Sequence, residues 1–296
     1  MVQFDGLRPA RLKVGSSQPA GWAPRWESRW NAPTMSWWPA APFPKRRGNA
    51  PSPPARHPVL PVPDVANSAE LLLLAVTDTE LASLVAGLAA TSAVRPGTIV
   101  VHTSGANGLG VLAPLARQDC IPLAIHPAMT FTGADEDIAR LADTCFGITA
   151  ADDVGYAIGQ SLVWEMGGEP FLVRDEARTL YHAALAHGSN HLVTVLADAL
   201  QALRAALSGP GLVDQQTVDD RPGGIAERII GPMARAALEN TLEQGQSALT
   251  GPVARGDAAA VAEHLAALAD VAPELAEAYR ANALRTAHRA HAPTTS

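Results

Sequence analysis

Between Glu70 and Val173 the chain repeats one pattern: a short apolar run of strand length, a turn of small polar residues, then a stretch of helix length. The first run, Glu70 to Val76, holds four consecutive leucines. A strand apolar on both faces must be buried on both faces, which parallel sheets achieve when crossover helices cover each side. Thr77 to Glu80 has capping-box spacing and predicts a helix from Thr79 to about Thr91. Pro96-Gly97 turns into a strand at Thr98–His102. A helix from about Leu109 to Arg117, strand Ile121–Ile125, strand Cys145–Thr149, helix Asp153–Met166 and strand Pro170–Val173 follow. The expectation is an α/β, doubly wound parallel sheet whose site lies at the strand carboxyl ends. Ala75, Val76, Thr77, Asp78, Thr103, Ser104, Gly105 and His126 all fall on that edge.

After Arg174 the pattern is wholly helical: Asp175–Leu207, Ile225–Ala248, Gly256–Ala269 and Pro273–Ala290. The chain therefore divides into 1–174 and an all-helical C-terminal domain, 175–296, a size that suits two globular parts. The first of these helices is apolar on nearly every face, which predicts a buried central helix and a homodimer built around it.

Composition narrows the partners. Net charge is −7 and the 22 Lys and Arg are dispersed, so nothing marks a nucleic-acid or anionic-membrane surface. The longest aliphatic run is Leu71–Val76, far below the roughly 18 residues of a membrane helix, and no signal pattern opens the chain. The expected address is cytoplasmic and the expected partner a small molecule. Cys120 and Cys145 stand singly in apolar runs, which suits buried small hydrophobes.

Ser16 to His57 breaks the pattern. It has no Leu, Ile or Val, yet holds five of six tryptophans and nine of 24 prolines. Before it, Leu12–Gly15 reads as the start of a first strand. Tryptophan has one codon, so the neighbouring frame is partly fixed. Joining the last base of each codon to the first two of the next, Trp22/Ala23 and Trp26/Glu27 must encode glycine, Trp30/Asn31 glutamate, Trp37/Trp38 valine and Trp38/Pro39 alanine. That frame continues the strand, supplies a Gly-x-x-Gly turn and opens an apolar helix leading to a second strand. This is the dinucleotide-binding layout, in which glycines let the backbone approach a pyrophosphate at a helix N-terminus. The codon arithmetic predicts a frameshift from about Gly15, compensated near His57. As printed, the chain should lack its phosphate loop, first strand, first helix and second strand, leaving the sheet edge beside Leu71–Val76 bare. In the alternate frame the junctions after Pro39 encode no Asp or Glu to hold an NAD ribose, while Arg47/Gly48 can encode arginine, so NADP is favoured.

On helix Asp175–Leu207, His187, Asn190, His191 and Thr194 form one polar stripe. Such a stripe can face a catalytic or substrate cleft, be satisfied in a core or subunit interface, or present a His187/His191 metal pair. No carboxylate accompanies the pair at ligand spacing, so no metal is assigned. His126, before Pro127 at a strand end, reads as functional or structural; Tyr181 and His182 are weaker candidates, and His102 reads as structural. The loop Leu249–Asp257 is either a plain turn or, through Thr250 and Arg255, part of a substrate site.

The strings LLLLAVTDTEL, IVVHTSGANG, LAIHPAMTF, LYHAALAHGSNHLVTVL and LTGPVARGDAAAVAEHL resemble a family of bacterial Rossmann-like proteins whose C-terminal half is a domain of unknown function. In architecture that family is similar to pyrroline-5-carboxylate reductase, the 6-phosphogluconate dehydrogenase group and β-hydroxyacid dehydrogenases. The resemblance implies NADP at the sheet, with Gly15 on the cofactor edge, and a dimerising helical domain. Those enzymes often carry a Lys-x-x-x-Asn pair on the central helix; here Ala186 stands four residues before Asn190. The resulting expectation is an NADP-dependent oxidoreductase-like protein acting on a small carbonyl or imine compound. His126 or His187 would donate the proton, Asn190 and Ser104 would orient substrate, and Tyr181, His191, Thr250 and Arg255 would bind it. A non-enzymatic nucleotide-sensing or partner-binding protein, or an inactive chain lacking its phosphate loop, are the alternatives.

Overall fold

The computed structural model describes residues 13–17, 36–37, 61–131, 136–208 and 223–290. Among them one sheet has seven strands: β1 (Lys13–Ser17), β2 (Ser36–Trp37), β3 (Leu71–Leu74), β4 (Ile99–His102), β5 (Ile121–Pro127), β6 (Cys145–Ala150) and β7 (Glu169–Leu172), in the order β2-β1-β3-β4-β5-β6-β7. The chain leaves β1 toward β2 and returns on its other side to β3, so the order reverses at β1. Ligands of such sheets bind at the strand carboxyl ends near that reversal.

All four β3 leucines are buried. Successive strand side chains point to opposite faces, so they feed two cores. Leu71 and Leu73 pack with Val101, Ile125 and Phe146 against Leu162 and Val163 of α5 (Asp153–Glu165). Leu72 and Leu74 pack with Val100 against Leu81, Val85 and Leu88 of α2 (Asp78–Ala90), with α1 (Val62–Ser68) and α3 (Ala113–Ala116) adding Val65 and Leu115. Helices on both faces make the sheet doubly wound, as its apolar runs require.

Three details depart from the sequence expectation. β2-β1-β3-β4-β5 is parallel, but β6 runs antiparallel to β5, with His126 opposite Gly147, and β7 is parallel to β6. Among its described residues the link from β5 to β6 holds the five-residue α4 (Glu136–Arg140) and a 3-10 turn, Leu141–Asp143, where a parallel return takes a full crossover helix. Second, the first strand is present. Val14 to Ser17 pair with Leu71 to Leu74, so the edge of β3 is covered, not bare. Ladder bonds use backbone N–H and C=O groups, which every residue but proline supplies in full whatever its side chain. The helix expected between β1 and β2, and the rest of residues 16–57, lie outside the described residues. Third, Thr77 precedes α2 but caps no backbone N–H; its hydroxyl donates to the Glu80 carboxylate at 2.8 Å.

The chain separates into two compact units, Met1–His187 and Gly188–Ser296. The boundary falls within α6 (Arg178–Leu207), which begins in the first unit and continues into the second. The second unit also holds α7 (Ile225–Gln244), α8 (Ala258–Val271) and α9 (Pro273–Ala290). There α8 packs on α9, with His264 Nδ1 and Tyr279 OH 2.8 Å apart, and Arg204 pairs with Glu227. Asp257 accepts from Ala260 N–H at 3.1 Å and caps α8, while Gly251 and Gly256 have φ of 93° and 76°. These conformations account for the glycines of the Leu249–Asp257 turn.

The expectation that α6 is buried all round is not met. Arg178 is its one buried residue, whereas Leu180, Leu192, Val193 and Val195 are exposed, as are Met233, Leu238 and Leu242 on α7. An apolar helix is covered only where another element reaches it, and among the described residues none covers these side chains of α6.

Candidate active site at the sheet edge

A cleft of about 250 Å³ opens at the carboxyl ends of β3, β4 and β5. Val76, Thr77 and Asp78 line it after β3, Thr103 to Gly105 after β4, and His126, Pro127, Met129 and Phe131 at the end of β5; His182 closes it from the first turns of α6. Every wall is thus set by where a strand stops.

The loop after β4 is held by a histidine. His102 is fully buried; its Nδ1 accepts the Ser104 N–H at 3.2 Å, so the ring proton sits on Nε2 and is given to the Gly108 carbonyl at 3.1 Å. Burial lowers its pKa to about 4, keeping this neutral tautomer at neutral pH. Ser104 is bound on every side. Its Oγ accepts from Asn107 N and Nδ2 at 3.0 and 2.9 Å, and its carbonyl accepts from Arg178 at 3.3 Å.

The side of the cleft facing α6 is a ring cluster. His126 Nδ1 lies 2.9 Å from Tyr181 OH, and the His126 ring meets His182 edge-on at 6.2 Å between centroids. Two glycines make room for it. A Cβ on Gly105 would come within 2.7 Å of His182 Cδ2 and 2.9 Å of His126 Nε2, and one on Gly147 within 3.0 Å of Tyr181 OH. Burial, then the Arg178 and His182 charges, lower the His126 pKa to about 4. Burial pushes Tyr181 up to about 12. At neutral pH the cleft therefore presents an uncharged imidazole and an intact phenol.

Arg178 anchors this cluster, and sequence reasoning missed it. Its side chain is 1% exposed. Nε donates to Thr149 Oγ1 at 2.7 Å, Nη2 to the Ala124 and Gly147 carbonyls at 2.8 and 2.9 Å, and Nη1 to the Ser104 carbonyl. One guanidinium so ties the loop after β4 and the bodies of β5 and β6 to the start of α6. Asp175, a turn earlier, accepts the Leu109 N–H at 2.5 Å and latches the loop after β4 a second time. One signal was present: a cation in the first turn of a helix opposes the helix dipole and needs acceptors elsewhere.

Of the sequence candidates, Val76, Thr77, Asp78, Thr103, Ser104, Gly105 and His126 line one cleft. Buried Ala75 lies just before Val76, and Tyr181 stands behind the wall, on His126. Gly15 lies within β1, paired with Leu72. His187, Asn190 and His191 are exposed on α6 and do not line the cleft. Thr250 and Arg255 are exposed in the second unit. Among the described residues no group of three or more His, Cys, Asp or Glu could hold a metal ion, and no helix is long and apolar enough to cross a membrane.

With its doubly wound sheet and its cleft at the strand ends, the first unit is a Rossmann-like domain, and the family model of that description matches residues 46–127. Residues 144–286 match a second family model, Domain of unknown function (DUF2520). The two matches follow one another along the chain, a Rossmann-like model and then a DUF2520 model. No curated protein matches it in sequence. Among solved structures, BF3122 of Bacteroides fragilis, provisionally assigned as an NADP oxidoreductase, superposes with a TM-score of 0.68 at 16% identity, covering 94% of this chain and 98% of that one. Protein TM1727 of Thermotoga maritima gives 0.62 at 16% identity with the same coverage. Plasmodium falciparum pyrroline carboxylate reductase, solved with NADP bound, gives 0.55 at 9% identity, covering 94% of this chain and 98% of that one. At these identities the likeness is one of fold, and that fold is one NADP oxidoreductases use.

Proposed function

We propose that this chain is an NADP-dependent oxidoreductase-like protein whose substrate is a small carbonyl or imine compound. The observation that carries the reading is the cleft: residues from three strand ends meet in it, with a glycine at its tightest point and two imidazoles beside it. Its donor set fits the nicotinamide end of a dinucleotide. Val76 to Asp78 and Thr103 to Gly105 would hold that end, and the bound cofactor would supply hydride. The pyrophosphate end belongs to the segment between β1 and β2, outside the described residues. Of this chain's own groups, Ser104 and its loop would orient substrate, and His126, which lines the same cleft, would offer it a hydrogen bond. A non-enzymatic nucleotide sensor is the second reading, favoured because His187 and Asn190, the expected helix partners of the chemistry, do not line the cleft.

We also propose that residues 16–57 are translated out of frame, on the strength of the single-codon junctions, and that the helical unit forms a homodimer through the apolar side chains exposed on α6 and α7. A cytoplasmic address accompanies this reading. Losing the turn and helix N-terminus removes several charge-assisted bonds to pyrophosphate, each worth about 1.5–3 kcal/mol. Three such bonds amount to about 4.5 kcal/mol or more, a thousand-fold or greater loss of affinity. Calorimetric titration of NADPH and NADH into this chain and into a frame-restored version tests the reading. Micromolar NADPH binding is expected from the restored chain alone; tighter NADH binding, or none of either, would overturn the cofactor assignment, and turnover of a small imine or ketone separates enzyme from sensor.

A further inference from the structure

We propose that Tyr181 is a positioning residue that fixes His126 as the neutral Nε2–H tautomer, so that what the cleft offers a bound carbonyl or imine is an imidazole N–H donor. The assignment of the tautomer stands on the geometry alone; its use on a carbonyl or imine rests on the proposed oxidoreductase reading.

Only one proton can lie between Tyr181 OH and His126 Nδ1, which are 2.9 Å apart. A phenol is the stronger donor of the two, and a bare imidazole nitrogen the stronger acceptor, so the bond runs from Tyr181 to Nδ1. The phenol cannot swing away easily. Its oxygen lies where a Cβ on Gly147 would stand, its ring meets Phe171 edge-on at 6.0 Å, and the Arg178 guanidinium carbon is 5.8 Å from its centroid. With Nδ1 occupied as acceptor, the ring proton belongs to Nε2. That nitrogen lies on the Gly105 side, among the cleft-lining residues, where the missing Cβ leaves room for it.

The charges around the ring keep it uncharged. Arg178 and His182 from α6 and His102 from β4 disfavour an imidazolium; Asp78 at the start of α2 opposes them, and Tyr181 stays protonated. Arg178 donates its hydrogen bonds to Thr149 Oγ1 and three carbonyls, all uncharged acceptors, while Asp175 offsets part of its charge from the preceding turn. A neutral imidazole N–H can polarise a carbonyl without transferring a stored proton. The proton that completes a reduction must then be replaced from solvent, through His126 or directly.

The test needs neither cofactor nor substrate. In the full chain, uniformly labelled with ¹⁵N, long-range ¹H–¹⁵N correlation spectra report the tautomer of each histidine, and His126→Gln identifies the His126 signals by their loss. The expected result at neutral pH is a protonated Nε2 and a hydrogen-bonded, unprotonated Nδ1 that persist on acidification to about pH 5. Tyr181→Phe, which removes one oxygen, should move the Nδ1 signal downfield toward an unbonded imine-type nitrogen. A protonated Nδ1 or an imidazolium at neutral pH in the unmodified chain would overturn the proposal, as would an unmoved Nδ1 signal in Tyr181→Phe. Should that variant not fold, the unmodified spectrum alone decides. Failure of the frame-restored chain to bind NADPH would sink the oxidoreductase reading and leave this result standing.

Discussion

Replacing Arg178 by methionine tests whether one buried cation holds the sheet edge together. The guanidinium makes bonds of 2.7, 2.8, 2.9 and 3.3 Å to Thr149 Oγ1 and the Ala124, Gly147 and Ser104 carbonyls. Hydrogen bonds to a charged group contribute about 1.5–3 kcal/mol each, a gross figure of about 6–12 kcal/mol. Against this stands the cost of holding a guanidinium at 1% exposure, which methionine does not incur. The carbonyls left behind are buried, and each unsatisfied acceptor costs about 1–3 kcal/mol. The net expectation is a loss of about 3–5 kcal/mol. At a urea slope of about 2–3 kcal/mol per molar, the unfolding midpoint of the first unit should fall by about 1–2 M. Arg178→Lys keeps the charge but not the planar fork, and should recover less than half of the loss. Urea titrations followed by circular dichroism decide it. A midpoint within about 0.3 M of the unmodified chain for Arg178→Met would refute the anchoring argument, because the sheet ends would then be held by something else.

Acid should weaken the first unit early. His102 and His126 have folded pKa values of about 4 against 6.5 unfolded, so between those values the unfolded chain binds more protons and stability falls as pH drops. At about pH 5 each histidine costs about 2 kcal/mol relative to pH 7.5, and urea midpoints at the two pH values should differ accordingly. Gly105→Ala drives a methyl group against both cleft imidazoles and should cost about 1–3 kcal/mol, with a shift of the His126 and His182 ring signals that a distant glycine such as Gly87 would not produce. Light scattering at micromolar concentration should give the mass of two chains; a mass of about 31 kDa, that of one chain, would remove the homodimer proposal. His187→Ala and Asn190→Ala, exposed and away from the cleft lining, should leave both NADPH affinity and turnover of a small imine or ketone by a frame-restored chain unchanged, and a tenfold loss of turnover with NADPH affinity intact would return them to the substrate site.

The sheet was legible because burial on both faces leaves an unmistakable mark: Leu71–Leu74 has no polar residue for either side, and each leucine went to the core its parity dictates. The direction of β6 was not, because a strand reads the same in either direction and the described part of the link that turns it carries one α-helix of five residues in place of a full crossover helix. The cleft was legible for a related reason. Parallel neighbours must stop at the same edge, so Val76–Asp78, Thr103–Gly105 and His126, which follow or end the parallel strands β3, β4 and β5, could be placed together from strand ends alone. Met129 and Phe131 follow His126 directly and could have been added by carrying the same rule two turns of chain further. The helical candidates had no such rule. A polar stripe on α6 fixes which side chains share a face, but the face it meets is a property of packing that sequence spacing does not contain.

Arg178 shows where that boundary lies in physical terms. Its four acceptors come from the loop after β4 and from within β5 and β6, and three are backbone carbonyls with no sequence identity at all. Nothing in the residues at 104, 124 and 147 announces an arginine partner; what brings the carbonyls together is the antiparallel turn of β6 against β5, the very feature the strand pattern leaves open. Had β6 run parallel, Gly147 would not stand opposite His126, and the gap that admits the Tyr181 ring behind His126 would be absent. The reversed strand, the buried arginine and the tyrosine-backed histidine are therefore one structural decision. A Gly147→Ala variant expresses it: the added methyl, 2.9 Å from Val173 Cγ2 and 3.0 Å from Tyr181 OH, should displace the phenol and leave His126 Nδ1 without its donor, reproducing the Tyr181→Phe nitrogen shift with the hydroxyl still in the chain. An unshifted Nδ1 signal in a folded Gly147→Ala protein would show that the tyrosine is held by other contacts and would break the link between strand direction and tautomer.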